Sequence, residues 1–487
     1  MANILDQYAQ KVLHDHHRKV ELSLPRPGPN QAQLPPVKDC PFPTTVGIVG
    51  GGVAGLYAAL ILQDFEEYGY TCQVLEAEEA HIGGRLWTYQ FPNGDPAVDF
   101  YDRGAMRFPE TKFTERVFHL FSKLGIEKGG LLQPFIFSVP KNNILYFNGR
   151  CMTAQAYIET TEKDPFDIGL RDKKDDCIEM AFGPFKNEFK KNFDKGWDKL
   201  MQVDSYSTRT YMRFELGWDD SVITSLEALA TSTNTYNCAF SESVMQSLEF
   251  DDPEGGWWRT RVTAIAPLNA DSSDTPTAMT LTVEHERTPR VYSHVITTIP
   301  FSCLSLVDTS KCNLSWDIQT AVRALHYDAS VKVAMQFSRR WWEESPLLER
   351  GGASYTDRPT RRVIYPSYGI GKASGTIIVS YTTSQDALRL GSLAGGKGTH
   401  AEERLKDVIL KDLADMHHGI VSVETLRSLL VDYDVWSWYN HENSAGAFAE
   451  FAPAQFRDLY PKVTTPPGGI LHFGGEATSV HHAYVLH

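Results

Sequence analysis

Residues 44–79, TTVGIVGGGVAGLYAALILQDFEEYGYTCQVLEAEE, decide the fold. Val46, Ile48 and Val49 give a short apolar run with strand character. Gly50-Gly51-Gly52-Val53-Ala54-Gly55 follows and fits the pattern G-x-G-x-x-G. Val53 to Tyr68 then reads as a helix that is apolar nearly all round, as a helix packed on a sheet is. Gly69 is placed to stop it, and TCQVLE is the second strand, ending on Glu76. Strand, glycine turn, helix and parallel strand form a βαβ unit, the context in which this glycine pattern points to a dinucleotide. There Gly50 makes the tight bend, Gly52 lets backbone N–H groups approach a pyrophosphate, and Gly55 lets helix and strand close up. Val53 and Ala54 open the helix, whose N-terminus carries partial positive charge toward phosphates. Glu76 lies 21 residues past Gly55, where an acid accepts ribose hydroxyls, with Ala77 beside it.

Around this unit the chain has 487 residues, enough for two or three connected domains. Its 42% hydrophobic and 22% charged residues describe an ordinary globular protein rather than a disordered one. A net charge of −14 disfavours non-specific binding to nucleic acid or anionic membrane, while leaving room for a local positive pocket. Seven cysteines show no C-x-x-C pair, which suggests reduced thiols. The first twenty residues lack the apolar run of a signal peptide, and no stretch approaches the roughly 18 apolar residues of a membrane span. The expectation is an intracellular, cytoplasmic protein, with the peroxisome as the other compartment.

Residues 3–20 read as a mixed-face helix, and the proline-rich stretch up to residue 43 as an extended arm. Residues 160–250 are richer in charge and helical, an insertion between strand-rich parts. RVTAIAPL, MTLTVEHE and RVYSHVITTIP return to strand near 261–300. Strands alternate with glycine and proline turns over 329–390, a helix covers about 401–416, and GGILHFGGEATS is strand then glycine turn. His14, Asp15, His16 and His17 look like a solvated helix face rather than a metal site, and no metal is expected. Trp257-Trp258 and Trp341-Trp342 read as packing.

Three further segments sharpen the reading. HIGGRLWTY supplies Gly83-Gly84-Arg85, a second glycine pair with an arginine able to neutralise the far side of a pyrophosphate. HFGGEATS places Glu476 after Gly474-Gly475. DRGAMRFPE sets Arg107 behind the small-residue loop Gly104-Ala105-Met106. Together these resemble the FAD-dependent flavin amine oxidase family, and DRGAMRFPE in particular resembles the L-amino acid oxidases.

The resemblance runs from about residue 44 to the end and is weak across the helical insertion. It implies an α/β fold: a Rossmann-type FAD-binding domain (44–104, 252–300 and 452–487), a mixed-sheet substrate-binding domain (105–155 and 301–451) and a helical domain (156–251), after the arm at 1–43. It implies non-covalent FAD held by Gly50, Gly52, Val53, Ala54, Gly55, Glu76, Ala77, Gly84, Arg85, the Gly104-Ala105-Met106-Arg107 segment, Val262, Trp436, Gly475, Glu476 and Ala483. By the same resemblance Arg107 grips the substrate carboxylate. Lys332, in SVKVAMQF, holds a water near the reactive flavin nitrogen. Tyr365, in RRVIYPS, shares the carboxylate. Ala483 takes the substrate amine, Tyr484 walls the pocket, and Phe448 lines it. His481 and His482 are the groups expected to give pH sensitivity. The family's last helix would follow this turn, where the present sequence ends at His487.

A guanidinium fits a carboxylate through two parallel N–H···O bonds, fixing position and angle together. The implied reaction is oxidative deamination of L-amino acids, hydrophobic or aromatic by preference, to 2-oxo acids, ammonia and hydrogen peroxide. The partners are then a small amino acid and oxygen, with a homodimer as the expected assembly. A monoamine or polyamine oxidase, an amino acid monooxygenase and a non-catalytic relative of the fold remain the alternatives. The Arg107 motif argues against the amine oxidases, which need no carboxylate clamp.

Overall fold

The computed structural model describes residues 44–63, 65, 69–79, 81–108, 115–124, 134–170, 174–230, 235–249, 262–267, 278–284, 286–417, 419–464 and 469–479. Two sheets organise them. The first is a four-stranded parallel sheet in the order Leu471–Phe473, His294–Thr297, Thr44–Val49, Tyr70–Leu75. Ile48 pairs with Val74 on one side and Ile296 on the other, so strands almost 250 residues apart in sequence become neighbours. Val46–Val49 is buried because both faces of this strand are covered. The helix Val53–Gln63 packs on it, and so does a three-stranded antiparallel sheet formed by Val262–Pro267, Met279–Val283 and Arg290–Tyr292. The Tyr292 ring sits where a Cβ on Gly47 would lie, 2.8 Å away, which is why that central position carries no side chain.

The helix departs from its sequence reading. It is regular only to Gln63, and Gly55 is its one fully buried residue. Tyr57, Ile61 and Phe65, spaced four apart, are 40–45% exposed among the described residues. The helix therefore touches the sheet along one side rather than sinking into it.

The second sheet has seven strands, in the order Leu430–Ser437, Ser330–Phe337, Gly375–Thr383, Arg362–Ile364, Ala353–Thr356, Ile144–Phe147, Arg150–Thr153. All its neighbours are antiparallel except Ala353–Thr356 with Ile144–Phe147. Every residue of Ser330–Phe337 is buried, and alternation divides them. Val331, Val333, Met335 and Phe337 face a core with Leu405, Ile409, Leu413 and Met416 of the helix His400–Met416. Ala334 faces the opposite way, onto Phe91, Tyr101, Ile364 and Ile378. Lys332, two residues before it, shares that side, and the side chain reaches the backbone of residues 102–104.

The insertion is helical as its composition suggests, with Lys174–Lys191, Phe193–Met201, Thr208–Phe214, Asp220–Leu229 and Phe240–Glu249. Pro184 lies inside the first of these. That helix holds because Phe182, Phe185 and Phe189 bury one stripe against Phe240 and its neighbours. Trp341 and Trp342 meet edge to face, with centroids 5.7 Å apart, and serve as packing.

One core carboxyl makes stability depend on pH. Glu349 is fully buried and accepts a hydrogen bond from Asn143 Nδ2 at 2.7 Å. Burial pushes its pKa up to about 8. The folded protein therefore keeps Glu349 protonated at neutral pH while the unfolded chain ionises above about 4.5. Stability falls as pH rises through that window, by up to about 1.4 kcal/mol per unit for this group. Glu349→Gln mimics the neutral form. Its melting temperature should gain on the parent by roughly 2 °C or more between pH 5 and pH 8, read from thermal melts at the two pH values.

Candidate active site

The glycine turn is built by exclusion. Gly50 has φ +104° and donates its N–H to Leu75 O at 2.7 Å. A Cβ on Gly55 would stand 1.9 Å from Gly50 O, so any larger residue pushes helix and turn apart. Gly52 is different: a Cβ there would meet nothing within 4 Å. Its backbone borders open space at the N-terminus of the helix that Val53 and Ala54 begin. Glu76 closes one side of this space. Its carboxylate accepts from Gly51 N at 2.8 Å, Ala77 N at 2.8 Å and Glu78 N at 2.9 Å. Burial raises its pKa more than these donors lower it.

Two remote segments meet this turn. Gly83 bridges Gly52 in parallel, and a Cβ on Gly84 would lie 3.4 Å from Gly52 Cα. Next to them Arg85 Nη1 donates to Glu476 Oε2 at 3.1 Å and to Ala447 O at 3.0 Å. Glu476 Oε1 accepts from Ala449 N at 2.7 Å. Gly475, with φ +101°, passes Thr298 O so closely that a Cβ would stand 2.7 Å from it. Phe448 stands half-buried between Ala447 and Ala449, and so its backbone lies at the Arg85–Glu476 end of the site. Gly104 runs along Arg85, where a Cβ would be 1.8 Å from Arg85 O, and Ala105 N donates to that same oxygen at 3.2 Å.

From Gly104 the chain leads to a second group. Lys332 Nζ donates to Asp102 O at 2.8 Å and to Gly104 O. Burial is the main reason its pKa drops to about 7; Asp102 raises it, and Arg107 and Arg362 lower it further. Lys332 pairs in register with Trp436 on one neighbouring strand and Tyr381 on the other, so the three lie in a row. Its Nζ is 5.0 Å from the Tyr381 ring centre. Trp436 meets Trp87 at 4.7 Å and is covered by Arg103 at 4.1 Å, and its indole N–H is buried without a hydrogen-bond partner among the described residues. Arg103 is itself held by Asp434 through Nε at 2.9 Å and Nη2 at 2.7 Å. Met106, Phe135 and Tyr381 pack against the core cluster that holds Ala334 and Ile364, and the Arg107 guanidinium lies 4.9 Å from the Phe137 ring and 6.0 Å from Phe135.

The family model for flavin containing amine oxidoreductases matches residues 53–257 and 256–487. The chain belongs to this family. A Dictyostelium discoideum protein whose name describes a bifunctional amine oxidase is 38% identical over 91% of this chain; the match spans 45% of that protein, so the chain covers under half of this relative's length. An L-amino-acid oxidase of Hebeloma cylindrosporum is 35% identical over 91% of this chain and 79% of its own. One from Siganus canaliculatus is 31% identical over 90% and 82%. The fold is shared with solved structures of a putrescine oxidase (TM-score 0.65, 16% identity, 91% of this chain and 95% of that one) and of the cyclohexylamine oxidase of Brevibacterium oxydans (TM-score 0.60, 16% identity, 91% and 95%).

The chain is thus a flavin amine oxidoreductase, and its cofactor is FAD. The residues present fit it: open space at Gly52, a helix N-terminus and Arg85 for the pyrophosphate, and Glu76 for the ribose. A single added methyl tests this. Gly55→Ala overpacks the turn by about 1–3 kcal/mol, so flavin retained through purification should fall by about fivefold or more. Absorbance near 450 nm relative to protein measures it.

Tyr365 needs correction. Its ring is fully buried with Val333, Met335 and Trp341, and its hydroxyl bonds to His417 Nε2 at 2.9 Å and Ser354 Oγ at 3.1 Å. It faces away from Lys332, because alternation along Arg362–Ile364 sends Val363 and Tyr365 to one side and Ile364 to the other. The positions that do face Lys332 are Ile364, Arg362 and Tyr381, together with Phe135 beside Arg107. Alternation in GTIIVSYTT alone would put Tyr381 with Ile377 and Val379 in the opposite core; the register shift opposite Val333 and Ala334 turns it to the Lys332 side.

Val262 lies in a described strand, without its side chain. Residues 481–484, with His481, His482, Ala483 and Tyr484, fall outside the described residues, as do residues 14–17 and 257–258. Among the described residues no His, Cys, Asp and Glu cluster could hold a metal, and no helix is long and apolar enough to cross a membrane.

Proposed function

We propose that the chain is an L-amino-acid oxidase. The observation that carries this is Arg107, a guanidinium propped on Phe137 and Phe135 and close enough to the buried Lys332 for its charge to be felt there. An amine needs no such group, whereas an amino acid carboxylate matches its fork. The names of the Hebeloma and Siganus relatives support the same reading.

Bound FAD would supply the hydride acceptor for the substrate α-carbon. The protein supplies position and proton control. Arg107 fixes the carboxylate, and misplacement by about 1 Å costs on the order of 100-fold in rate. The substrate amine must be neutral before the α-hydrogen leaves, so its proton must go elsewhere. Lys332, neutral above about pH 7, can hold the water that receives it. Trp436 and Tyr381 wall the lysine and exclude bulk solvent. The imino acid leaves and is hydrolysed by water to a 2-oxo acid and ammonia, and the two electrons and two protons taken from the substrate pass to oxygen, giving hydrogen peroxide.

Peroxide release from L-phenylalanine and L-leucine, set against phenethylamine and isopentylamine, tests this. The amino acids should be turned over and the amines not. Turnover of the amines alone would assign the chain to the amine oxidases.

A further inference from the structure

The ribbon that carries the Arg85–Glu476 pair rests on a cluster of buried acids. Tyr327–Asp328 pairs antiparallel with Phe448–Ala449, with Asp328 opposite Phe448. Ala447 O accepts from Arg85 and Ala449 N donates to Glu476, so both members of the pair are fastened to this short ribbon. The next residue, Glu450, is 1% exposed, and Asp328 and Glu242 are 4% and 2% exposed. Asp328 Oδ2 accepts from Ser384 N at 3.1 Å and from Ser384 Oγ at 2.7 Å. Glu450 Oε1 accepts from Gln246 Nε2, on the same helix as Glu242, at 3.2 Å. No donor reaches Glu450 Oε2 among the described residues, although it is buried.

The Glu450 and Asp328 carboxyls bond to each other. Two carboxylates repel, so that bond needs a proton between them. Asp328 already has two donors, which favour its ionised form. The proton therefore belongs on Glu450, whose orphan oxygen is the place for it. Burial keeps the Glu450 carboxyl protonated well above the usual range, and the charges of Asp328 and Glu242 add to this. The other titratable groups around the pair are His326, whose Nδ1 meets Glu450 O at 2.6 Å, and the Cys238 thiol, itself pushed up by burial and by the same acids.

We propose that Glu450 is a positioning residue for the cofactor: its carboxyl, joined through a proton to Asp328, latches Phe448–Ala449 onto Tyr327–Asp328 and so holds the Arg85–Glu476 pair, and loss of that proton releases FAD. The latch is independent of whether an amino acid or an amine is oxidised. With the proton gone, the carboxylates face one another away from water, and the ribbon must part to hydrate them. FAD then binds more weakly as pH rises, by up to about tenfold per pH unit for one proton.

Flavin fluorescence titrations of the chain at a series of pH values test this. Between about pH 7 and pH 10 the Kd for FAD should rise by about tenfold or more while far-ultraviolet circular dichroism stays native. Glu450→Gln keeps an N–H for Asp328 but has no proton to lose, so its Kd should change by less than about twofold over the same range. Titration of the flavin itself contributes equally to both proteins. A flat profile in the parent would overturn the proposal without any variant. A rise that Glu450→Gln retains would assign the titration to another group. Flavin lost only together with the native circular dichroism would also overturn the latch and leave the acid pair as part of core stability.

Discussion

Arg107→Ala should raise the KM for L-amino acids by on the order of 100-fold or more while the bound flavin keeps its absorbance. The size follows from the bonds lost. Hydrogen bonds to a charged group contribute about 1.5–3 kcal/mol each, and a fork supplies two, of which about 3 kcal/mol corresponds to roughly 100-fold in affinity. The flavin should stay because neither the Gly52 opening nor the Arg85–Glu476 pair is built from the Arg107 side chain. Arg107→Lys should recover little, since a point charge cannot reproduce two parallel bonds. Steady-state kinetics beside a flavin spectrum checks both variants. An unchanged KM in Arg107→Ala would remove the carboxylate clamp from the account.

The second large effect is expected at Lys332. Lys332→Met keeps an unbranched side chain of similar length in a fully buried position but removes the amine. General acid–base assistance is typically worth about 100-fold or more, so flavin reduction in rapid mixing should slow by about that factor. The pH profile gives the sharper signature. Burial brings the Lys332 pKa down to about 7, so the group is charged below that pH and neutral above it. The parent's rate of flavin reduction should climb between pH 6 and pH 8, and that limb should be missing in Lys332→Met. A limb that survived would assign the titration to another group.

The dinucleotide cleft was legible in the sequence because its determinants are local. Gly50, Gly52 and Gly55 lie within one turn, and Glu76 follows at the spacing one helix and one strand impose. The pairing of Arg85 with Glu476, 391 residues apart, has no local trace; only the family resemblance brought those two segments together. The row of Trp436, Lys332 and Tyr381 was half legible. Alternation alone separated Lys332 from Val331 and Val333. Which residues flank it depends on how Leu430–Ser437 and Gly375–Thr383 align with its strand, and register is a tertiary property. Tyr365 illustrates the cost of a shift of one position: Ile364 faces the site and Tyr365 the opposite core. The helix after the glycine turn was misjudged for a related reason. Its composition is apolar all round, but the sheet beneath it covers only one side.

The most direct test of the central claim is a crystal structure of the FAD-loaded chain with benzoate, a carboxylate that carries no amine. The account predicts the benzoate carboxylate on Arg107 through two N–H···O bonds, with Lys332 and Trp436 beside the flavin ring. Benzoate bound away from Arg107, or a flavin ring lying remote from Lys332, would contradict it.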